Sequence, residues 1–586
     1  MRTLLKAPHL KVIHFTLTVC ALAFLLAATL AAAPFNPTQA QHAMVASIHE
    51  LASRAGVEIM QAGGNAVDAA VATGFALAVV YPEAGNIGGG GFLLLRTARG
   101  EVHFIDYREK APVAATENMY LDALGNVIPG LSVVGYKAVG VPGSVAGLVY
   151  AEKKYGKLTL AQVMAPAIKL ARDGFPLAYE DVHDIKHDKH LAEFAESRRI
   201  FQRDGNFYQP GEILKQPELA RTLERVAKNP DDFYHGALAH ELAAAIQKGG
   251  GIVTAADLAA YEVKEREPVR GTYRGYEVIG APPPSSGGTT MIEILNILEG
   301  FDLAKTGNRS AETIHLTVEA FRRAFYDRAD FMGDPDFAKV PVPQLIDKKY
   351  AAAWRDTIDS IHASPSRDLK RPQFADLERV ASHPVTVHEP ENTTHYSVVD
   401  AEGNAVAVTT TLNDSFGSRV TAEGLGFLLN DEMDDFASKQ GVPNNYGLIQ
   451  GQANAIGPGK RPLSAMTPTI VLKDGKLFLV LGSPGGPRII TTVANILMGV
   501  IDFGVDIQEA VNAPRFHHQW LPDQIDVEDT LSPDTMNLLR SKGHMLDIKH
   551  GVSQYPADGE CIMVDPKTGE RLGASDGRNN GKAVGY

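Results

Sequence analysis

"TTHYSVVDAEGNAVAVTTTLN" (residues 393–413) carries two β-branched runs, "HYSVVD" and "AVAVTTTL", on either side of Ala401-Glu402-Gly403. Runs of this kind around a short glycine-containing turn predict a β-hairpin. Centred on Glu402, the hairpin sets Thr393 opposite Thr411, with Cβ atoms about 5 Å apart and the hydroxyls within reach of each other. A slip of one residue would change that partner, and threonine is common in strands for packing reasons alone. Position adds to the chemical reading, because Thr393 stands where a proline-rich, charge-dotted stretch (residues 364–392) meets the strand. A cut before Thr393 would expose an α-amino group of pKa about 8 beside the hydroxyl, giving one residue both nucleophile and base.

A second segment suits the same chemistry. "LFLVLGSPGGPRII" (residues 477–490) runs strand, glycine turn, helix. The backbone N–H groups of Gly485 and Gly486 would then face a cleft at a helix N-terminus, where a developing oxyanion is stabilised. A tight turn that merely needs glycine is the alternative, and a P-loop is excluded by the missing Lys-Ser/Thr. "GASDG" (residues 573–577) matches a nucleophile elbow, yet no histidine follows it in the chain. His49-Glu50 and His240-Glu241 lack the second histidine of a zinc helix, and His517-His518 are adjacent without metal-like neighbours, so packing or surface roles and no metal or cofactor are expected. Asp434-Asp435 reads either as a solvated acidic loop or as a receiver for a substrate cation, and Arg108 as a surface residue or a carboxylate clamp.

The 586 residues are 45% apolar and 21% charged, which is globular rather than disordered. A net charge of −13 without a basic block excludes a nucleic-acid partner. Length alone allows about three or four domains. Arg2, Lys6 and Lys11 followed by an apolar run from Phe15 to Ala33 read as an export signal, residues 1–33, with the cut anywhere between 31 and 40; an uncleaved anchor is the alternative. Cys20 lies inside that run, leaving Cys561 as a lone buried thiol with no internal disulfide.

Residues 49–80 predict two packed helices broken at Gly63-Gly64, with Asn65 as N-cap. "NIGGGGFLLLR" and "EVHFIDYREKAP" follow as strands joined at Gly100-Glu101. From about residue 142 to 330 the pattern is mainly helical, including the amphipathic "AETIHLTVEAFRRAFYDRADF". Residues 364–392 read as an exposed linker. After them strands dominate, in "HYSVVD", "AVAVTTTL", "TPTIVLKDGKLFLVLG" and "CIMVD", with two helices, "RIITTVANILMGVID" and "DTMNLLRSKG". The expected class is α+β, helices layered on antiparallel sheets.

Taken together, "GGNAVDAAVA", "NIGGGGFLLL", "DYREKAP", "GVPG", the hairpin itself, "NDEMDDF", "GKRPLSAMTPTIV", "GSPGGPRIITTV" and "NAPRFHHQW" resemble the γ-glutamyltransferase (γ-glutamyltranspeptidase) family, in an exported bacterial form, from about residue 42 to the C-terminus. The resemblance implies an N-terminal nucleophile hydrolase, an αββα sandwich whose precursor cuts itself at Asn392–Thr393. A large chain (34–392) and a small catalytic chain (393–586) would remain together as a heterodimer, periplasmic or secreted. It further implies that Thr411 hydrogen-bonds the nucleophile Thr393 and that Gly485 and Gly486 form the oxyanion hole. Arg108 and Ser464 would hold the α-carboxylate of a γ-glutamyl group, and Asn413, Glu432 and Asp435 its α-amino group. Residues 441–454 match the family's lid, with Tyr446 as gate. Glu432 replaces a glutamine frequent in bacterial members, and Ala465 a second serine, which points to altered affinity.

The implied donors are γ-glutamyl compounds such as glutathione, and the acceptors water, amino acids or dipeptides. A glutaryl-cephalosporin acylase of the same fold, and an exported γ-glutamyl-binding protein that cuts nothing, are the competing readings; retention of Asp435 favours γ-glutamyl substrates over glutaryl ones.

Overall fold

The hairpin forms the centre of a seven-stranded sheet. The structure is a computed structural model that describes residues 36–374, 393–551 and 557–586. The export signal assigned to residues 1–33, Cys20 and the bond at Asn392 therefore lie outside the described residues.

Among the described residues, fourteen strands make two large sheets. In chain order they are β1 (Thr38–Ala40), β2 (Met44–Ser47), β3 (Gly90–Arg96), β4 (Val102–Asp106), β5 (Lys264–Arg266), β6 (Val269–Tyr273), β7 (Tyr276–Gly280), β8 (Thr394–Val399), β9 (Ala405–Thr411), β10 (Thr469–Lys473), β11 (Lys476–Leu481), β12 (Glu560–Val564), β13 (Arg571–Ser575) and β14 (Lys582–Gly585). The first sheet has the order β14-β2-β8-β9-β3-β4-β5 and the second β1-β13-β12-β11-β10-β7-β6. Strands β8 and β9 pair antiparallel from Thr394↔Thr410 to Val399↔Ala405, the register expected from a turn at Glu402. Asp400 closes that turn by accepting the N–H groups of Glu402 and Asn404, each at 2.9 Å, and Gly403 supplies φ +89°.

Alternation along the strands sorts side chains into two cores. Leu93, Leu95, Val406 and Val408 face one core, with helices α1 (Glu50–Gln61) and α2 (Ala66–Val80). Phe92, Leu94, Ala405 and Ala407 face the other, which also takes in the second sheet and helices α3 (Gly287–Leu298), α4 (Ala311–Phe331) and α5 (Arg488–Phe503). Layers therefore stack as helix, sheet, sheet, helix. Being covered on both faces, β8 and β9 are buried at every position and read as apolar runs rather than as a clean alternation. Asn65 caps α2 as expected, accepting from Val67 and Asp68 N–H while the Asp68 carboxylate takes the Asn65 N–H at 2.7 Å.

Several expectations need correction. Residues Pro37–Tyr586 form one compact unit, not three or four domains, because both sheets draw strands from both halves of the chain. The stretch assigned to helices hides β5, β6 and β7. Strands β6 and β7 meet in a two-residue turn with φ +50° at Arg274 and +82° at Gly275, a hairpin geometry masked by the mixed polarity of "VRGTYRGYEVIG". Helix α4 is not amphipathic in place: Glu319, Arg322, Arg323, Asp327 and Arg328 are all buried, since the helix lies between other elements, with Glu319 paired to Arg322 and Arg323 and Asp327 to Arg371. Nor is the described part of the linker free, for Ser366 and Leu369 are buried and Arg371 bonds Asp327 at 2.6 Å and Asp330 at 2.8 Å. Among the described residues no helix is long and apolar enough to cross a membrane.

Candidate active site

A cleft of about 330 Å³ opens where β8, β9, the glycine turn after β11 and two loops converge. Thr393, Thr411, Asn413, Glu432, Asp435, Tyr446, Ser464, Ala465, Gly486 and Arg108 all line it, so the pattern spread over nearly four hundred residues closes into one place. Thr393 immediately precedes β8 and is 5% exposed. Its Oγ1 lies 3.2 Å from Thr411 Oγ1 at the end of β9. Thr411 Oγ1 also accepts the Asn413 N–H at 2.8 Å. Asn413 sits at φ +84°, a conformation asparagine tolerates better than most residues, and that bend turns the chain back toward the cleft.

Glycines 88–91 have a plain role. A Cβ on Gly89 would meet the Thr411 carbonyl oxygen at 2.0 Å and one on Gly90 would meet Glu109 Oε2 at 2.4 Å. Only glycine lets this strand start press against the hairpin that carries Thr411. Asn86 completes the join, donating to the Thr411 carbonyl at 2.9 Å and accepting from Gly89 N–H at 2.9 Å.

After β11 the chain passes through Gly485 (φ +118°) and Gly486 (φ +50°) into α5. Their carbonyls accept from Arg488 and Ile489, so the turn is fixed from the helix side. Among the described residues neither glycine N–H donates to a backbone acceptor. Gly486 lines the cleft beside Thr393, whereas Gly485 stands one residue earlier and off the lining.

Arg108 organises the charge. It leaves β4 through Tyr107 and is buried, with Glu432 Oε1 at 2.5 Å, Glu109 Oε2 at 3.5 Å, and Asp435 in direct contact. Desolvation opposes its charge, but Glu432, Asp435 and Glu109 outweigh that and raise its pKa above the ordinary value. Burial also pushes the Glu432 carboxyl well up, against the pull of Arg108, and moves Glu109 up to about 7. Asp434 is no solvated loop residue, for it is buried, accepts from Ser132 Oγ at 2.6 Å and Asn445 N–H at 3.1 Å, and is pushed up to about 7 by burial.

The lid is closed. Tyr446 is buried and its hydroxyl donates to Asn413 Oδ1 at 2.7 Å; Gln519 holds the Tyr446 carbonyl at 3.1 Å. On the opposite wall Ser464 bonds through its backbone to Pro284 and Ser286, and its Oγ accepts the Met466 N–H at 3.1 Å. Ala465 follows it on the lining and is 8% exposed.

Arg328 also lines the cleft and escaped the sequence reading. Leu448, Leu463, Met466, Pro487 and Ile489 supply apolar walls. Away from the cleft His315, Glu319 and His544 bring ligand atoms within 4.8 Å of one another, a trio too scattered in sequence to be seen. Glu319 already pairs with Arg322 and Arg323, and two cations against it disfavour a metal. His517 and His518 are buried, the packing role, and Cys561 is a buried free thiol.

A sequence model of the family described as gamma-glutamyltranspeptidase matches residues 52–586. The chain is similar to the glutathione hydrolase proenzyme of Pseudomonas sp. (strain A14), 50% identical over 586 residues covering 96% of this chain and 98% of the relative. Among solved structures, the cephalosporin acylase from Bacillus halodurans superposes with TM-score 0.83 at 29% identity, covering 95% of this chain and 98% of that one. The γ-glutamyltranspeptidase of Helicobacter pylori superposes with TM-score 0.57 at 45% identity, over 60% of this chain and 100% of that one.

Proposed function

The chain belongs to the gamma-glutamyltranspeptidase family, and from that premise we propose that Thr393, freed by self-cleavage after Asn392, is the nucleophile of its reaction. It is an autoprocessed γ-glutamyltransferase and glutathione hydrolase with the N-terminal nucleophile hydrolase fold. The observation that carries the assignment to Thr393 is its 3.2 Å approach to Thr411 at the mouth of the cleft.

In the mature two-chain enzyme, residues 34–392 with 393–586, Thr393 Oγ1 attacks the γ-amide carbon of glutathione and the Thr393 α-amine takes the hydroxyl proton. Gly485 and Gly486 N–H groups receive the oxyanion. As the C–N bond breaks, that proton passes to the leaving nitrogen of cysteinylglycine. Water, an amino acid or a dipeptide then takes the γ-glutamyl group from Thr393. Glu432 and Asp435 face the substrate ammonium together with Asn413, while Arg108 and Ser464 face its α-carboxylate.

The Glu432 and Asp435 carboxylates on the cleft lining also argue against a glutaryl substrate, which brings no ammonium to face them. The export-like N-terminus and the single thiol of the mature chain suit a periplasmic or secreted enzyme. Comparing hydrolysis of γ-glutamyl and glutaryl anilides tests the substrate class; a preference for the glutaryl compound would refute it.

A further inference from the structure

We propose that Arg328 is a second carboxylate-binding cation of the cleft, engaging the α-carboxylate of the γ-glutamyl donor at the place where Ala465 lacks a hydroxyl. This inference rests on the γ-glutamyl reading above and adds a specificity residue to it.

The cleft contains two guanidinium groups of opposite circumstance. Arg108 is already matched by anions, Glu432 and Asp435, and donates through Nε to the Pro462 carbonyl at 3.3 Å. Arg328 is 2% exposed and makes one hydrogen bond, from Nε to Ser286 Oγ at 2.8 Å. Among the described residues it has no ion pair, and its terminal nitrogens have no partner. An unmatched cation buried this deeply is costly unless a ligand supplies the anion. Burial correspondingly draws its pKa down to about 10, with Asp435 the nearest opposing charge.

The anchoring points the fork at one wall. Ser286 Oγ, which accepts from Arg328, donates to the Ser464 carbonyl at 2.7 Å, and Ser286 N–H donates to the same oxygen at 2.8 Å. Arg328 is thereby fixed against the segment that carries Ser464 and Ala465. A carboxylate held there by Ser464 and Arg108 has a second oxygen to satisfy, and Ala465 offers only its N–H. A guanidinium fork with two free terminal nitrogens fits that oxygen.

The test compares wild type, R328Q and R328K on γ-glutamyl-4-nitroanilide and on 4-aminobutyryl-4-nitroanilide, which lacks only the α-carboxylate, with water as acceptor. Binding of L-glutamate and of 4-aminobutyrate is measured alongside by calorimetry. R328Q is expected to lower kcat/KM for the carboxylate-bearing donor about tenfold or more, mostly through KM, while leaving the decarboxylated analogue unchanged; glutamate affinity falls in parallel and R328K recovers part of both. Equal losses on both anilides, no loss on either, or an effect confined to transfer onto a dipeptide would overturn the proposal. If wild type ignores the γ-glutamyl anilide, the enzymatic reading fails, and glutamate binding alone then decides Arg328. Should R328Q not fold, R328K carries the same comparison.

Discussion

Tyr446 donates its hydroxyl proton to Asn413 Oδ1 across the cleft at 2.7 Å, tying its loop to the residue whose own N–H donates to Thr411. The Tyr446 loop and the Thr393–Thr411 pair thus share one asparagine. Tyr446→Phe removes one hydrogen bond, about 1 kcal/mol, and loosens the cover that keeps water from the acyl-enzyme. The ratio of hydrolysis to transfer, measured with a dipeptide acceptor, should rise several-fold. An unchanged ratio would deny the lid this role.

Thr411→Val deletes the hydroxyl beside Thr393 and leaves the Asn413 N–H without its acceptor. Self-cleavage and turnover should both slow by about 10- to 100-fold, with Thr411→Ser close to wild type. Pulse–chase of the precursor and steady-state rates on the anilide measure the two effects.

The hairpin register, the Asn65 cap and the glycine turn were legible because each is a local signal: β-branched runs around a glycine, a capping residue, a strand-to-helix turn. The strands β5 to β7 were not, since their short mixed-polarity runs have no clean period and only the sheet they join stabilises them. The same limit hid Arg328. Its chemistry depends on Ser286 and Ser464, brought beside it by packing that no spacing along α4 encodes. Arg108 and Asp435 stood out as candidates from the residues and Glu432 only through the resemblance, and their mutual ion pairing came only with the fold.

Ala465→Ser restores a hydroxyl at the carboxylate end of the cleft. KM for γ-glutamyl donors should fall several-fold, about 1 kcal/mol, with kcat little changed. An unchanged or higher KM would show that the site is already matched without it.

Burial raises the Glu109 carboxyl from 4.5 to about 7, so the folded enzyme holds this proton more tightly than the unfolded chain. Between pH 4.5 and 7 that difference makes stability fall as pH rises, and above about 7 the cost is fully present. Glu109→Gln removes it. The Tm of the variant relative to wild type should therefore climb from pH 4.5 to 7 and then level off; a difference flat in pH would contradict this.

The most direct measurement is the N-terminal sequence of the smaller chain from purified wild-type protein, set beside Thr393→Ala on a denaturing gel. The account predicts two wild-type chains, the smaller beginning at Thr393, and a variant that stays whole and inactive on γ-glutamyl anilide. An intact wild-type chain that binds γ-glutamyl compounds without cutting them, or a variant that matures and turns over normally, would contradict it.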